Sequence, residues 1–442
     1  MRIAVNLPTR NRLQRAADAL GSMLALESGL HEVRYAVAQD ADDADAPECV
    51  RRILDAAEHY PGAMDRIVFR EIPTGLGKIH ACNAGTPPHS EWDVLVMGSD
   101  DMRCVLPGWD DVVARDMEES WPNLDGCLWY ADGNQVRICT YPVMGVNWHA
   151  KTGAVYWGGY RSLFADDDAM AQAQRLGRIS LRLSTTLFRH EHPAYGGAAT
   201  DALYARNEAP ELWREDQRVF LMRQARNFDW PPVRLSILVC SITERRDDLR
   251  NLLASLNAQI NALPVTGRRM VETHVLIDGG AASGGLSIGA KRQRLLGRAV
   301  GEYVAFIDDD DAVAPDYVSR ILAALETMPD CVGFTLRRIV PRWVSRGDGD
   351  GGLWVHSKRF TEHAEGERPI NHLNPVRREL ALQAGFRDES WGEDSAYAAR
   401  LAPLLAGGSE SFIDGPPMYF YMDDPRTSAA RPLRPKPVAA TG

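Results

Sequence analysis

The chain has 442 residues, 45% of them hydrophobic and 25% charged, which is too long for one ordinary hydrophobic core and predicts two or three globular domains. A formal net charge of −10 argues against a broad basic surface for nucleic acid, and seven cysteines without a CxxC pair indicate reduced thiols, not a disulfide frame or zinc site. Polar residues follow the short first strand at once, so no signal peptide is expected. No apolar run reaches the ~18 residues of a membrane span. We therefore expect a cytosolic protein.

The first half begins with a predicted strand, a polar turn and an amphipathic helix. The strand covers Ile3–Leu7, and the turn has the sequence PTRN. A second strand ends at Asp40, and the Gly-bearing segment GLGKIHACNAG then carries Lys78 into a helix. This alternation of strands and helices predicts a mostly parallel sheet that is covered on both faces.

Carboxylates and histidines follow in the rest of the first half. A buried strand runs into Asp100 and Asp101, and an acidic cluster, FADDDAMAQAQRLG (164–177), opens a predicted helix. Beyond it, His190 and His192 lie in the sequence FRHEHP. Two residues apart on a strand, these rings would share one face and suit a metal or a diphosphate; a packing or surface role is the alternative.

The second half repeats this order of features. A strand, LSILVC (235–240), leads into the turn SITER, and the next strand ends at Asp278. A segment with Arg292 leads into a helix, a buried strand runs into Asp308–Asp311, and WGED (391–394) opens a later helix. The shared order favours duplication of one architecture.

The boundary between the halves lies at a charged helical stretch that two consecutive prolines must end. We therefore predict domains at 1–207 and 235–428, joined by a helical linker at 208–234. A flexible tail rich in Pro, Ala and Arg is predicted at 429–442.

Four adjacent carboxylates, Asp308–Asp311, are the most informative feature of the second half. Like charges at such spacing repel one another unless something positive lies among them. In open α/β sheets, ligands bind at the carboxyl ends of the strands. A divalent cation, Mg²⁺ or Mn²⁺, held by one or two carboxylates and by substrate phosphates, fits this pattern; a solvated acidic loop is the alternative.

Glu393 and Asp394 open the later helix. Acidic side chains stabilise helix N-termini, so a pure capping role is one interpretation. In the other, one carboxylate is a general base that removes a proton from an acceptor hydroxyl, while its neighbour orients it.

Taken together, these motifs make the second half similar to family-two, GT-A-fold glycosyltransferases over about 235–425. The resemblance implies an α/β fold of two Rossmann-like GT-A domains, each a mostly parallel sheet flanked by helices. It also implies a nucleotide-sugar donor and transfer with inversion at the anomeric carbon. A UDP-sugar is the expected donor.

The resemblance also implies roles for individual residues of the second half. Thr243 and Glu244 would lie beside the nucleotide, Asp278 would bind the base, and Arg292 would lie near the base or the phosphates. Asp308 would face the ribose and Asp310 would bind the metal. Asp394 would be the catalytic base, with Glu393 beside it. Because the segment reads Lys291-Arg292-Gln293 where the family has Ala-Arg-Asn, the contacts of Arg292 stay open.

The first half resembles a GT-A domain over roughly 1–205, with a glycine, Gly98, where the first aspartate of the metal motif belongs. The residues expected to bind the nucleotide there are Thr9, Arg10, Asp40 and Lys78. Those expected to bind the metal are Asp100, Asp101, His190 and His192. Those expected to be catalytic are Asp166 and Asp167. We expect both halves to be active.

Two other functions are considered. A sugar nucleotidyltransferase would begin with a Gly-rich loop, and the turns PTRN and SITER contain no glycine. A binding module for nucleotide sugars or glycans would require the acids at both helix starts to be caps only. The acceptor stays open between a glycan, a small molecule, a protein and a hydroxymethylated base in phage DNA, the last supported by local basic stretches such as Arg337–Arg346.

Overall fold

The computed structural model describes residues 1–74, 77–196, 202–280, 284–340 and 350–423. The predicted tail at 429–442 and most of the basic stretch 337–346 lie outside these ranges. The chain forms two compact units, Met1–Trp230 and Pro231–Gly442. Each unit is an α/β structure with its own sheet and its own hydrophobic cores, and the predicted fold class is confirmed.

The first unit contains strands β1–β9 and helices α1–α8. In chain order they are β1 (Arg2–Thr9), α1 (Leu13–Ala25), β2 (Glu32–Asp40), α2 (Ala46–Ala57), β3 (Ile67–Ile72), α3 (Gly77–Ala84), β4 (Val94–Met97), β5 (Met102–Cys104), α4 (Trp109–Ser120), β6 (Cys127–Ala131), β7 (Val143–Gly145), α5 (Val146–Thr152), α6 (Ala165–Arg175), β8 (Ile179–Thr186), β9 (Phe188–His190), α7 (Ala202–Asn207) and α8 (Pro210–Ala225).

Seven of these strands form one sheet in the order β3-β2-β1-β4-β7-β6-β8, and β5 pairs with β9 in a small second sheet. Strands β1 to β4 are mutually parallel where they pair, whereas β7 runs antiparallel to both of its neighbours. Ile3, Val5 and Leu7 enter one hydrophobic core and Ala4 enters another. This period-two alternation shows that the sheet is buried on both faces.

The second unit contains β10–β19 and α9–α14. In chain order they are β10 (Leu235–Ile242), α9 (Arg246–Ala262), α10 (Val265–Arg269), β11 (Val271–Asp278), α11 (Ile288–Arg298), β12 (Tyr303–Asp308), β13 (Ala312–Val313), α12 (Tyr317–Ala324), β14 (Cys331–Ile339), β15 (Asp350–His356), β16 (Glu367–Arg368), β17 (Val376–Arg377), α13 (Arg378–Ala384), α14 (Glu393–Leu405), β18 (Glu410–Ile413) and β19 (Tyr419–Met422).

The sheet of the second unit has the order β11-β10-β12-β17-β14-β15-β16, with β18 and β19 also pairing with β14. Its β11-β10-β12 part is parallel. Helix α9 buries Leu249, Leu252, Leu253, Leu256 and Ile260. This spacing of three and four residues forms a single apolar stripe, which packs in the same core as Val239 of β10.

The segment expected to be a helical linker, 208–234, is helical over Pro210–Ala225 and packs within the first unit. Two of its charged residues, Asp216 and Arg223, help to hold it there. Asp216 accepts hydrogen bonds from the backbone amides of residues 161–163 at 2.8–3.0 Å. Arg223 donates to the buried carboxylate of Asp168 at 2.6 Å. Helix α8 therefore belongs to the first unit because its charged residues satisfy groups of that unit.

All seven cysteines lie within the described ranges, where they are buried free thiols. Among the described residues, no helix has both the length and the apolar character that crossing a bilayer would require.

Candidate active site

The parallel strands of the second unit bring its predicted site residues to one edge of the sheet. Ile242 is in register with Asp278, and Cys240 is in register with Asp308. Because all three strands end at this edge, the turn after β10, the end of β11 and the four acids after β12 meet there.

The four consecutive aspartates have different surroundings. The Asp311 carboxylate is buried and accepts hydrogen bonds from the Tyr419 hydroxyl and the Met422 amide, each at 2.7 Å. Burial, with the charge of Asp308 added, raises the pKa of Asp311 well above its usual range. Asp311 therefore holds β19 against the end of β12. The other three acids are the candidates for the site.

Arg245, in the turn after β10, lies among two of those acids. Its Nη1 is 2.6 Å from Asp309 Oδ1 and 3.1 Å from Asp310 Oδ2. Asp309 also accepts a hydrogen bond from the Ser241 hydroxyl at 2.6 Å. No role was predicted for Arg245 from the sequence. The signal that could have identified it is an arginine in the turn after one strand when four acids follow the neighbouring strand.

Asp310 stays the more accessible of this pair, with 17% of its side chain exposed against 4% for Asp309. Burial raises the pKa of Asp310 to about 6; Arg245 opposes this effect, while the charges of Asp308 and Asp309 add to it. Asp310 therefore carries a negative charge that its protein neighbours compensate only in part.

Arg292 connects the strand-end acids to the start of α14. Its Nη2 is 2.8 Å from Asp308 Oδ1, and its Nη1 is 2.6 Å from Glu393 Oε1. Arg292 is only 3% exposed. Burial acts to raise the pKa of Asp308, but Arg292 and then His372 outweigh it and hold that pKa below its usual range.

Glu393 and Asp394, adjacent in sequence, differ in surroundings. Burial raises the pKa of Glu393, although the charge of Arg292 opposes the rise. Asp394 is half-buried, and its Oδ1 accepts from the amide of Ser395 at 2.7 Å. Gly392, which precedes them, has φ 77°, a left-handed conformation that suits glycine. Glu393 is thus the internal partner of Arg292, and Asp394 is the more accessible acid.

Asp278 is held by Lys291, the neighbour of Arg292 in sequence. Its carboxylate forms an ion pair with Lys291 and accepts from the amides of Gly280 and Leu286, both at 2.8 Å. Burial acts to raise the pKa of Asp278, but the hydrogen bonds from Lys291 and these amides lower it. No contact with Asp278 was predicted for Lys291 from the sequence.

The two turn residues predicted to lie beside a nucleotide are both exposed. Thr243 donates a 3.3 Å hydrogen bond to the carbonyl of Asp278. The hydroxyl therefore lies at the edge that Asp278 and Asp308 also occupy, and Glu244 follows it on the surface.

In the first unit, Asp100 and Asp101 are both buried. Asp100 accepts from the Thr9 hydroxyl and from Arg12 Nη1, each at 2.9 Å. Burial and the charge of Asp101 raise the pKa of Asp100 to about 6, although Arg12 opposes them. Arg12 also lies over the ring of Tyr204, 4.1 Å from its centroid, and the Tyr204 hydroxyl donates to Asp101.

The two histidines of the first unit face different partners. His190 ends β9, and its Nε2 is 3.4 Å from Asp101 Oδ1. His192 lies 2.8 Å from Glu208 through its Nε2 and accepts from the amide of Ala194 through its Nδ1. The structure therefore brings His190, and not His192, to the acids, because Glu208 holds the second ring.

Asp166 and Asp167 lie in the first turn of α6. Asp166 accepts from the amide of Asp167 at 3.0 Å. Burial and the charge of Asp166 raise the pKa of Asp167 to about 6, although the charge of Arg137 opposes this effect. Arg137 is an exposed residue that the sequence analysis did not identify.

Three further residues of the first unit were predicted to bind the nucleotide. Arg10 pairs with Asp40 at 2.6 Å, which joins the end of β1 to the end of β2. Lys78 is exposed in the first turn of α3. Among the described residues of either unit, three or more His, Cys, Asp or Glu side chains do not converge to hold a metal ion by themselves.

Comparison with known proteins identifies one family match. Residues 284–377 match the sequence model of glycosyl transferase family 2. This range runs from the segment before α11 to β17 and includes Arg292, Asp308–Asp311 and His372. The second unit therefore contains a segment that is similar to this family. A search of curated proteins finds no match to the chain.

Several solved structures are similar at low identity. TarS residues 1–349 of S. aureus, in complex with UDP-GlcNAc, has a TM-score of 0.31 and 16% identity; the match covers 43% of this chain and 59% of that one. The mannosyltransferase PcManGT of Pyrobaculum calidifontis, with GDP-Man and Mn²⁺, has a TM-score of 0.37 and 14% identity, covering 60% and 77%. Glucosyl-3-phosphoglycerate synthase of Mycobacterium tuberculosis, with Mg²⁺ and UDP, has a TM-score of 0.35 and 16% identity, covering 50% and 79%.

These similarities are too weak to carry the substrates of those enzymes over to this chain. The match also spans less than two thirds of the length of the TarS fragment.

Proposed function

We propose, on the premise that the second unit contains a segment similar to glycosyl transferase family 2, that the protein transfers a sugar from a nucleotide-diphosphate sugar to an acceptor hydroxyl. One observation carries this proposal. Arg292 joins Asp308, at the end of β12, to Glu393, at the start of α14, so the donor-side acids and the acidic helix start share one site. A UDP-sugar is the first donor to test.

Within this proposal Asp394 is the general base. It is half-buried in the first turn of α14, whereas its neighbour Glu393 is engaged by Arg292. A base removes the proton of the acceptor hydroxyl as that oxygen attacks the anomeric carbon, and an in-line attack inverts that carbon. Glu393 and Arg292 orient the start of the helix and so position Asp394.

The donor set at the end of β12 fits a divalent cation. Asp310 is partly exposed, and its carboxylate is compensated only in part by Arg245. Mg²⁺ and Mn²⁺ prefer oxygen ligands and are often held by one or two carboxylates together with substrate phosphates. When bound, the cation would offset the charge that develops on the departing diphosphate. Asp310 is the residue that would hold it.

The first unit is proposed to be a second active site. Asp101 Oδ1 is buried and has no hydrogen-bond partner among the described residues, and His190 Nε2 lies 3.4 Å from it. An orphaned carboxylate oxygen beside an imidazole fits a cation. Asp167, whose pKa is raised to about 6, is the proposed base there. Asp100 is less suited to bind a cation because Thr9 and Arg12 engage both of its oxygens.

We expect cation-dependent donor binding that fails at low pH. Heating the protein with UDP-sugars should give a higher melting temperature only when Mn²⁺ is present, because a ligand that binds the native state stabilises it. The pKa of Asp310 is about 6, so its carboxylate is charged above that pH and neutral below it. The shift assigned to the second unit should therefore be full at pH 7.5 and largely lost at pH 5.

Asp310→Asn and Asp101→Asn separate the two units in this measurement. Each variant should remove one contribution to the Mn²⁺-dependent shift and leave the other. An unchanged shift in both variants would show that the cation binds elsewhere, and the absence of any shift with every nucleotide sugar would refute donor binding.

We propose that the acceptor is a glycan and not a nucleic acid. Trp391, three residues before Asp394, has 75% of its surface exposed. Its loop is anchored on α11, because the carbonyl of Glu389 accepts from the amide of Gly289 at 3.0 Å. An aromatic ring offers a large flat surface to the apolar face of a pyranose. The neighbouring acids, Asp388 and Glu389 among them, repel phosphates and so disfavour DNA.

Trp391→Ala should raise the acceptor KM by roughly tenfold, which corresponds to about 1.4 kcal/mol of lost contact energy. Donor binding and melting temperature should not change, because the side chain is exposed. Trp391→Phe, which keeps an aromatic surface, should retain most of the affinity. Initial rates against a series of glycan acceptors test this, and an unchanged KM in Trp391→Ala would remove Trp391 from the acceptor site.

A further inference from the structure

His372 is a buried residue whose two ring nitrogens lack hydrogen-bond partners among the described residues. The side chain is 5% exposed, and neither ring nitrogen forms a hydrogen bond with any residue that the structure describes. Its Nε2 lies 3.6 Å from Asp308 Oδ2, which is beyond hydrogen-bonding distance. A buried polar group without a partner destabilises a fold, and a ligand group that pairs with it removes that cost.

The surrounding turn holds this ring in a fixed position. The carbonyl of His372 accepts from the amide of Phe306, in β12, at 2.9 Å. The side chain of Asn371 accepts from the amide of Leu373 at 3.0 Å. Because β12 also carries Asp308, the imidazole and the carboxylate are fixed relative to each other before any ligand binds.

Asp308 is prepared to accept a hydrogen bond on the side that His372 faces. Arg292 binds its Oδ1, whereas Oδ2 faces the imidazole. An ionised carboxylate only accepts hydrogen bonds, and an imidazole N–H donates one.

We propose that His372 and Asp308 together form a subsite for one hydroxyl group of the nucleotide-sugar donor. A hydroxyl can accept from the imidazole and donate to the carboxylate at the same time, so it would satisfy both groups. The hydroxyl belongs to the ribose or to the transferred sugar, which share this chemistry. The subsite rests on the proposed function, since it requires a nucleotide-sugar donor.

His356 offers a matched control. It is 2% exposed, its Nδ1 is 3.0 Å from Asn374 Oδ1, and its ring stacks on Phe334 at 6.3 Å between centroids. It is an equally buried imidazole whose Nε2 also lacks a hydrogen-bond partner among the described residues, but its Nδ1 faces Asn374 instead of Asp308. A general effect of replacing a buried histidine in this unit should therefore appear in both positions.

The test compares donors that lack single hydroxyls. Binding of UDP-glucose, of its 2′-deoxyribose and 3′-deoxyribose analogues and of UDP-2-deoxyglucose is measured calorimetrically in the full chain with Mn²⁺. The wild-type protein should bind one of these analogues roughly 10- to 100-fold more weakly than UDP-glucose, because the missing hydroxyl leaves His372 and Asp308 without their ligand partner. Weaker binding of a deoxyribose analogue would assign the hydroxyl to the ribose, and weaker binding of UDP-2-deoxyglucose would assign it to the transferred sugar.

In His372→Phe the penalty for that analogue should fall, because only the hydrogen bond to Asp308 remains, and in His356→Phe the wild-type ratio should persist. His372→Gln keeps an N–H donor and should restore part of the discrimination, and it serves if the phenylalanine variant does not fold. The full wild-type ratio in a folded His372→Phe protein, or no penalty for any analogue in the wild type, would overturn the subsite alone. Failure of the wild type to bind any nucleotide sugar would instead overturn the proposed function, and the subsite with it.

Discussion

Replacing Arg292 with methionine is expected to destabilise the second unit by about 3–5 kcal/mol, the usual cost of removing one partner from a buried ion pair. Arg292 is 3% exposed and contacts two carboxylates, Asp308 and Glu393. Methionine fills much of the same space but leaves both acids without their cation. Two like charges, a buried Glu393 and a partly exposed Asp308, then remain near one another, and each disfavours the ionised form of the other.

Denaturant unfolding of the full chain at pH 7.5 measures this effect, with the transitions of the two units analysed separately. Arg294→Met is the control, because Arg294 is an exposed residue of the same helix and its replacement should change stability by less than about 0.5 kcal/mol. Equal stability of the two variants would contradict the buried ion-pair network.

Acid should reduce the cost of Arg292→Met. In the wild type, Asp308 has a pKa below its usual range, so its contribution to stability is present above the unfolded-chain value of about 3.9 and is lost as pH falls. In the variant, burial without Arg292 favours protonation of Asp308 and Glu393. The difference in stability between variant and wild type should therefore be smaller at pH 4.5 than at pH 7.5.

Asp394→Asn is expected to lower kcat of the second unit by about 10²- to 10⁴-fold, the usual contribution of a general base. Asparagine has nearly the same shape and can still accept the hydrogen bond from the Ser395 amide through its carbonyl oxygen. It cannot take a proton from the acceptor. The donor-induced rise in melting temperature should therefore be retained while sugar transfer is lost.

Rates of UDP release in the presence of acceptor measure this loss, and Asp167→Asn tests the corresponding acid of the first unit. Ser395→Ala provides a control at the same helix start, because it keeps the backbone amide and both acids. Turnover that survives in the Asp394→Asn, Asp167→Asn double variant would show that these acids are helix caps. A protein that binds nucleotide sugars without transferring them would then be the better description.

Several features of the site were predictable because they depend on short sequence segments. The apolar strand before Asp308–Asp311 and the acids of WGED indicated where ligands would bind. Parallel strands end at one edge, so the convergence of Asp278 and Asp308 followed from the alternation of strands and helices. The resemblance then assigned roles to these positions, and those roles remain predictions.

The partners of these acids were not predictable in the same way. Arg245 meets Asp309 and Asp310 across more than 60 positions of sequence, and Lys291, not Arg292, pairs with Asp278. No local pattern specifies such pairs, since each depends on how a turn or helix is oriented on the sheet.

From its residues alone, the chain specified two α/β halves and the strand ends at which acidic side chains gather, because hydrophobic periodicity and charge are properties of short segments. Only the tertiary structure distinguished four identical aspartates: Asp311 meets Tyr419, Asp309 meets Ser241, Asp308 meets Arg292, and Asp310 stays partly exposed. The physical reason is that the charge state and accessibility of a carboxylate depend on burial and on neighbours from distant segments, which meet only in the folded chain.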